Sequence, residues 1–205
     1  MLSQRLALVQ EQIRLALDVA PAGPLRAISM CAGQGRDLIG ALENHPRRSS
    51  VTGRLVELDP RNALSARSRA AAAGLSQIDV LTGDAALVAH YADYVPAYLV
   101  LVCGVFGNIS LADVARTVGF CTQLCATGGT VIWTRARRDS DQVPQICEWF
   151  EARGFDRLWV SDPALPFGVA AHRFTGTPAP LNTEATMFTF LHDTQRLAPR
   201  FLTPV

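Results

Sequence analysis

The chain has 205 residues, of which 49% are hydrophobic and 18% charged, and its formal net charge is +1. This length and composition predict a single globular domain, residues 1–205, with a substantial core. The near-neutral charge provides no strong field to attract nucleic acid or an anionic membrane. All 19 basic residues are arginine, which excludes chemistry that needs a lysine, such as Schiff-base formation or P-loop nucleotide binding.

The cysteines and the apolar runs indicate a reducing compartment. The chain has five cysteines, an odd number, and charged residues interrupt the apolar positions of segment 1–20, so we expect no secretory signal. No run of about 18 uncharged apolar residues exists to span a membrane. Cys121 and Cys125 lack two further ligands nearby, so we expect buried thiols and no metal. The sequence therefore predicts a cytoplasmic protein.

Helices and strands alternate along the chain. Residues 2–19 predict an N-terminal helix, ended by prolines and a glycine, so that segment 1–22 caps a core at 25–191. Apolar runs predict strands at 25–30, 50–58, 78–82, 98–102, 130–134 and 155–161. The intervening segments predict helices at 37–42, 60–73, 85–91, 111–125 and 143–153. This alternation is typical of a doubly wound, mostly parallel sheet.

The end of the chain is less regular. Residues 187–191 predict the last strand. The connection at 162–186 is long and rich in proline and glycine, and a further strand near 169–174 remains an alternative within it.

A glycine-rich loop follows the first strand, where doubly wound sheets bind ligands. It contains Cys31, Gly33, Gln34 and Gly35. Glycines permit a tight turn and the close approach of a ligand, and the helix that follows favours a carboxylate or phosphate. Since two glycines after a strand often form only a turn, the loop alone predicts adenosine binding weakly.

An acidic residue ends the second strand. Glu57 lies about 20 residues beyond Gly35, the separation at which dinucleotide folds place the acid that binds ribose. A carboxylate there accepts hydrogen bonds from both vicinal hydroxyls. Asp59 is the alternative, although it suits the N-cap of the next helix better.

The loop after the third strand contains Gly83, Asp84 and Ala85. The Asp84 carboxylate is suited to accept a hydrogen bond from an adenine amino group. The alternative role for Asp84 is an N-cap on the short helix that follows.

The loop after the fourth strand contains Cys103, Gly104, Phe106 and Asn108. The glycine allows close approach, the phenyl ring is suited to pack on a flat ring, and the amide supplies a donor and an acceptor. Four ligand-compatible loops in this order are more specific than any one alone.

The glycine spacing distinguishes between adenosine cofactors. In the dinucleotide fingerprint G-x-G-x-x-G, the third glycine would stand at Leu38, where a leucine prevents close contact between helix and strand. This argues against NAD and FAD.

The order C-A-G-Q-G-R, E-L-D-P, G-D-A and C-G-V-F-G-N resembles the class I S-adenosylmethionine-dependent methyltransferases over residues 25–191. Cys31, Gly33 and Gly35 stand at the three glycines of that family's D-x-G-x-G-x-G motif, and Ser29 stands at its acid. The resemblance implies a Rossmann-like methyltransferase fold. Its sheet has seven strands, with one antiparallel strand inserted between the fifth and sixth, for which residues 187–191 are the expected candidate.

The resemblance also implies S-adenosylmethionine as the cofactor and assigns contacts to it. Glu57 matches the acid that binds ribose, and Leu58 would lie along the adenine. Asp84 and Ala85 match the contacts to the adenine edge. Cys103 and Gly104 match the loop beside the methionine part.

The methyl acceptor is a separate question, because a hydroxyl or amine acceptor often needs a general base. His172 is the predicted base, although a structural histidine is the alternative. Asn108 and Asp37 face the expected site and would position the substrate. The N/D-P-P-Y motif of amino methylation is absent after the fourth strand, and no large insertion forms a recognition domain. We therefore expect a small-molecule acceptor, without nucleic-acid or membrane partners, and predict no oligomeric state.

Two other functions remain open. A nicotinamide-dependent oxidoreductase would use the same sheet edge, although Leu38 argues against it. A cofactor-binding module without turnover is the other, because Cys31 and Ser29 depart from the family pattern.

Overall fold

The computed structural model describes residues 2–137 and 140–191. Its α-helices are α1 (Leu2–Asp18), α2 (Leu38–Leu42), α3 (Pro60–Ala72), α4 (Leu111–Leu124) and α5 (Val143–Glu151). Its strands are β1 (Leu25–Met30), β2 (Val51–Glu57), β3 (Ile78–Thr82), β4 (Ala97–Val102), β5 (Cys125–Ala136), β6 (Phe155–Val160) and β7 (Phe167–Phe174). Two short 3₁₀ helices, Arg48–Ser50 and Val88–Tyr94, precede β2 and β4.

The strands form one seven-stranded sheet in the order β3-β2-β1-β4-β5-β7-β6. The first five strands in this order are parallel, and β7 is antiparallel to both of its neighbours. In this order β1 lies between β2 and β4, so the loops that follow these three strands meet at one edge of the sheet. The predicted doubly wound, mostly parallel sheet with one inserted antiparallel strand is confirmed.

The identity of the antiparallel strand differs from the first prediction. Phe167–Phe174 forms it, which was the alternative position near 169–174. Residues 187–191 form no strand and make only an isolated bridge, between Phe190 and Ile109. Met187 and Phe188 are buried, and the Met187 carbonyl accepts a hydrogen bond from Arg116 of α4. The apolar run therefore packs against a helix, and an apolar run of five residues does not distinguish this burial from a strand.

Helices cover both faces of the sheet. On one face the buried side chains of α1, α2 and α3 pack with those of the central strands. On the other face α4, α5 and the 3₁₀ helix Val88–Tyr94 form a second core. Among the described residues, none of the helices is long and apolar enough to cross a membrane.

Local sequence explains several element boundaries. Asp59 caps α3 by accepting a hydrogen bond from the Arg61 N–H, as predicted, and Ser110 caps α4 in the same way. The predicted helix at 85–91 is instead a turn followed by the 3₁₀ helix Val88–Tyr94. Residues 126–129 were expected to connect the helix predicted at 111–125 to the strand predicted at 130–134, but they lie within the twelve-residue β5.

Candidate cofactor-binding site

The glycine loop reverses the chain between β1 and α2 through left-handed backbone conformations. Gly33 and Gly35 have φ angles of +56° and +68°, a region that glycine occupies without steric cost. A Cβ at Gly35 would stand 2.6 Å from Ile39 Cδ1, whereas a Cβ at Gly33 would meet nothing within 4 Å. A side chain at Gly35 would therefore crowd Ile39, whereas Gly33 leaves space above the loop.

Cys31 adopts the same conformation without being a glycine. Its φ of +52° is the one positive value among the described non-glycine residues, and such a value costs about 1 kcal/mol in a residue with a side chain. The half-buried side chain packs against the core. Burial, followed by the charges of Glu57 and Asp84, raises the pKa of the Cys31 thiol to about 12. The group is thus a neutral thiol that faces both carboxylates.

Ser29, at the position of the family's acid, is fully buried in β1. Its hydroxyl oxygen has no hydrogen-bond partner among the described residues. The serine therefore presents no polar group at the surface of the site.

Glu57 ends β2 with its carboxylate turned toward the glycine loop. One oxygen accepts a hydrogen bond from the Gly33 N–H at 2.8 Å, and the other accepts one from the Asp59 N–H at 2.9 Å. A carboxylate offers about four acceptor positions. Two acceptor positions are therefore left for a ligand at this edge of the sheet.

The loop after β3 adjoins Glu57, because the Gly83 N–H donates to the Glu57 carbonyl at 3.0 Å. Asp84 is exposed and accepts a hydrogen bond from the Ala86 N–H at 2.9 Å. Ala85 is buried, and its carbonyl accepts a hydrogen bond from the Tyr91 hydroxyl. Only Asp84 of these residues presents a side chain outward, and the Leu58 side chain nearby is exposed as well.

The loop after β4 is fixed by hydrogen bonds at Gly104. Its N–H donates to Thr134 Oγ1 at 2.9 Å, and its carbonyl accepts a hydrogen bond from Asn108 Nδ2 at 2.7 Å. Asn108 is therefore a residue that positions this loop, and any contact with substrate remains a prediction.

The prediction that Phe106 contacts the cofactor is wrong. Its ring is fully buried and packs on Trp133, with 5.7 Å between the ring centroids. The apolar ring gains more from the core beneath the loop than from the solvent-exposed edge.

A cavity of about 800 Å³ opens at this edge of the sheet. Among the predicted residues, its wall includes Cys31, Gly33, Gln34, Asp37, Cys103 and Gly104. The other predicted contacts lie outside this wall. Cys31 lines the cavity and is close enough to Glu57 and Asp84 for both charges to raise its pKa, so these two carboxylates lie near the cavity.

The first turns of α1 complete the cavity, which the sequence did not indicate. Ser3, Arg5, Leu6 and Val9 line it opposite the glycine loop. The helical spacing of α1 predicted a helix packed on the body, but it carries no signal for which end meets the site. Arg5 was the one available sign, because it interrupts an apolar face.

The assignment of His172 as a general base is wrong. His172 is fully buried in β7 and pairs with Val131 in the middle of β5, away from the loops described above. Its ring stacks on Phe150 with 4.8 Å between centroids, and Nδ1 accepts a hydrogen bond from Trp133 Nε1 at 3.2 Å. Burial, followed by the charge of Arg157, lowers its pKa to about 3. The residue is a structural histidine, the alternative raised by the sequence.

The order of the strands and the position of β7 define the fold of the class I S-adenosylmethionine-dependent methyltransferases. Similar solved structures include an O-methyltransferase family protein from Burkholderia thailandensis, with a TM-score of 0.65 and 16% identity over 85% of this chain and 56% of that one. This chain therefore spans little more than half of that protein. Magnesium protoporphyrin IX methyltransferase from Synechocystis PCC 6803 with bound S-adenosylmethionine has a TM-score of 0.63 and 12% identity, over 83% of this chain and 79% of that one.

An RNA methyltransferase from Salinibacter ruber in complex with S-adenosylhomocysteine is also similar, with a TM-score of 0.53 and 18% identity over 86% of this chain and 96% of that one. No family model matches the chain, and no curated protein sequence matches it. At these identities the comparisons establish the fold.

The residues at the edge of the sheet are suited to an adenosine cofactor. A Cβ at Gly33 or Gly104 would project into open space beside the cavity. The absence of a side chain at both positions therefore leaves this space free for a ligand. Glu57 retains acceptor capacity for hydroxyl groups. Together these features fit a nucleoside with a further chain attached.

Proposed function

We propose that the protein is a methyltransferase that binds S-adenosylmethionine at the edge formed by the loops after β1, β2, β3 and β4. The observation that carries the proposal is the Glu57 carboxylate, which the Gly33 and Asp59 N–H groups hold toward the glycine loop. Its remaining acceptor positions suit the two ribose hydroxyls, while Asp84 lies where it would accept a hydrogen bond from the adenine.

S-adenosylmethionine would supply an activated methyl group on a sulfonium, which transfers by in-line displacement. The chain has to align the acceptor and exclude water. The glycine loop and the Gly104 loop fix two sides of the cavity, and α1 covers a third. The cavity thiols provide no nucleophile, because burial raises the pKa of both Cys31 and Cys103.

A small molecule is the proposed acceptor. The cavity is lined on one side by the chain's own helix α1, and the net charge is only +1. Such a cavity suits a compact acceptor better than a nucleic acid, which needs a basic patch. Because some similar structures are RNA methyltransferases, the test below includes an RNA arm.

A reducing compartment, the cytoplasm, is the proposed location. The five cysteines are all free in the described structure. Cys121 and Cys125 are buried, as predicted, and none of the described residues form a group of three or more potential metal ligands.

Calorimetric titration tests cofactor binding directly. We expect the protein to bind S-adenosylmethionine and S-adenosylhomocysteine at one site and to show no binding of NADH. Transfer of a labelled methyl group to a pool of small molecules, compared with transfer to total RNA, tests the acceptor class. Label in RNA alone would contradict a small-molecule acceptor, and binding of NADH alone would contradict the methyltransferase.

A further inference from the structure

Arg5 of α1 is a half-buried arginine on the wall of the cavity, and it has no hydrogen-bond or ion-pair partner among the described residues. Within the described ranges, every arginine other than Arg5 and Arg69 makes a hydrogen bond or an ion pair. Arg69 is exposed on α3, so water satisfies it. Arg5 instead keeps its five donors available to whatever enters the cavity.

Asp37, at the start of α2, lines the same cavity with a carboxylate that is only partly used. Its Oδ1 accepts the Leu38 N–H at 2.8 Å, and no ion pair joins Asp37 to Arg5 or to any other described residue. Burial raises the pKa of this carboxyl group, so a cation in the cavity would restore the charged form.

Both charges lie near Cys103, at the β4 end of the cavity. After burial, Asp37 is the next cause of the raised Cys103 pKa, and Arg5 acts to lower it. Glu57, in contrast, is hydrogen-bonded to Gly33 and acts on Cys31 rather than on Cys103. One cation and one anion, not paired with each other, therefore face the cavity beside Cys103, whereas the proposed ribose position lies beside Cys31.

We propose that Arg5 and Asp37 together bind the α-amino-acid end of S-adenosylmethionine, with Arg5 on its carboxylate and Asp37 on its ammonium. This inference rests on the proposed function and extends the site to α1. The planar guanidinium suits two hydrogen bonds to a carboxylate, and the free Asp37 oxygen suits one from the ammonium. Each charged group at the amino-acid end of the ligand would thus lie next to a side chain of opposite charge.

The test uses S-adenosylhomocysteine and three analogues, lacking its amino group, its carboxylate, or the whole amino-acid end (5′-methylthioadenosine). Calorimetry gives their affinities for the wild type, Arg5→Ala, Asp37→Asn and the control Arg69→Ala. We expect Arg5→Ala to lower the affinity for S-adenosylhomocysteine about 10- to 100-fold. Its affinity for the analogue without the carboxylate should equal that of the wild type. Asp37→Asn, which keeps a side chain suited to capping α2, should weaken S-adenosylhomocysteine but not the analogue without the amino group.

The inference fails if either variant leaves S-adenosylhomocysteine affinity unchanged, or weakens all four ligands equally. Thermal unfolding of each variant separates loss of affinity from loss of fold. A wild type that binds 5′-methylthioadenosine and S-adenosylhomocysteine, with no effect of Arg5→Ala, refutes only the assignment of Arg5 and Asp37. A wild type that binds none of the four ligands refutes the proposed function as well.

Discussion

Glu57 and His172 are both buried polar side chains on the same sheet, yet their surroundings differ. Glu57 ends a strand at the carboxyl edge, 9% exposed, with backbone N–H donors on both oxygens. His172 lies inside an antiparallel strand, 0% exposed, and packs against the rings of Trp133 and Phe150. Glu57 lies next to the glycine loop and keeps acceptor capacity for a ligand, whereas His172 is enclosed by the core and can serve only the fold. Position along the strand, rather than the type of residue, separates these two roles.

The largest expected effect comes from removing the Glu57 carboxylate. Glu57→Ala should weaken S-adenosylhomocysteine by about 100-fold or more, because each hydrogen bond to a charged group contributes about 1.5–3 kcal/mol. Calorimetry measures the loss of affinity. Glu57→Gln keeps the shape of the side chain with fewer acceptors, so its affinity should lie between those of the wild type and Glu57→Ala. Asp59→Asn is the matched control, since asparagine also caps a helix well. An equal loss in Asp59→Asn would assign the ribose contact to Asp59.

His172 should affect stability and its pH dependence instead of ligand affinity. The folded pKa of His172 is lowered to about 3, so the unfolded chain takes up a proton near pH 6.5 that the folded chain does not. Its contribution to stability is therefore complete above about pH 6.5 and falls as the pH drops toward 3, by up to a few kcal/mol.

Urea unfolding at pH 7 and pH 5 measures this loss. His172→Phe, which keeps a ring in the aromatic stack, should show a smaller fall between the two pH values and bind S-adenosylhomocysteine as the wild type does. His90→Gln, at a half-buried histidine, is the control for replacing a histidine elsewhere in the chain. A His172→Phe variant with the same pH dependence as the wild type would contradict the assignment.

Substitutions at Gly33 and Gly35 should likewise distinguish an effect on stability from an effect on ligand affinity. Gly35→Ala should cost about 3 kcal/mol of stability, because the new Cβ meets Ile39 and Leu55 and the left-handed φ adds strain. Gly33→Ala should cost about 1 kcal/mol from φ alone and weaken S-adenosylhomocysteine more strongly, because its Cβ enters open space beside the cavity. Equal unfolding free energies for the two variants would show that the loop relaxes around Gly35.

The smallest effect is expected at Cys31. Cys31→Gly relieves the strain of a positive φ but increases the entropy of the unfolded chain, so the stability should change by less than about 1 kcal/mol. Ligand affinity should be retained, because the thiol is neutral and supplies no charge. A loss of affinity above about tenfold would show that the Cys31 side chain contacts the cofactor.

The sequence predicted most of the fold because its strands are short apolar runs separated by glycines, prolines and helix caps. β1 and β3 have the predicted bounds. It failed at residues 187–191, since a buried extended segment and a strand have the same apolar pattern. In the strands and in residues 187–191 alike, the apolar pattern predicts burial correctly. It does not identify the element against which the buried residues pack.

The candidate site was predicted in part, for a related reason. Residues at the carboxyl ends of strands or shortly after them, such as Gly33, Glu57 and Asp84, are located by the topology of the sheet itself. Arg5 and Phe106 depend on how α1 and a loop pack in three dimensions, which local spacing does not encode. His172 was misassigned because the sequence raised a strand near 169–174 only as an alternative and gave no sign that this strand is inserted between two others and buried.

The structure of the complex with S-adenosylhomocysteine tests the central claim most directly. We predict the ribose hydroxyls within hydrogen-bond distance, about 3 Å, of the Glu57 carboxylate, with the homocysteine chain in the cavity lined by the glycine loop, Gly104 and α1. A ligand bound elsewhere, or bound at this edge without contact to Glu57, would contradict the account.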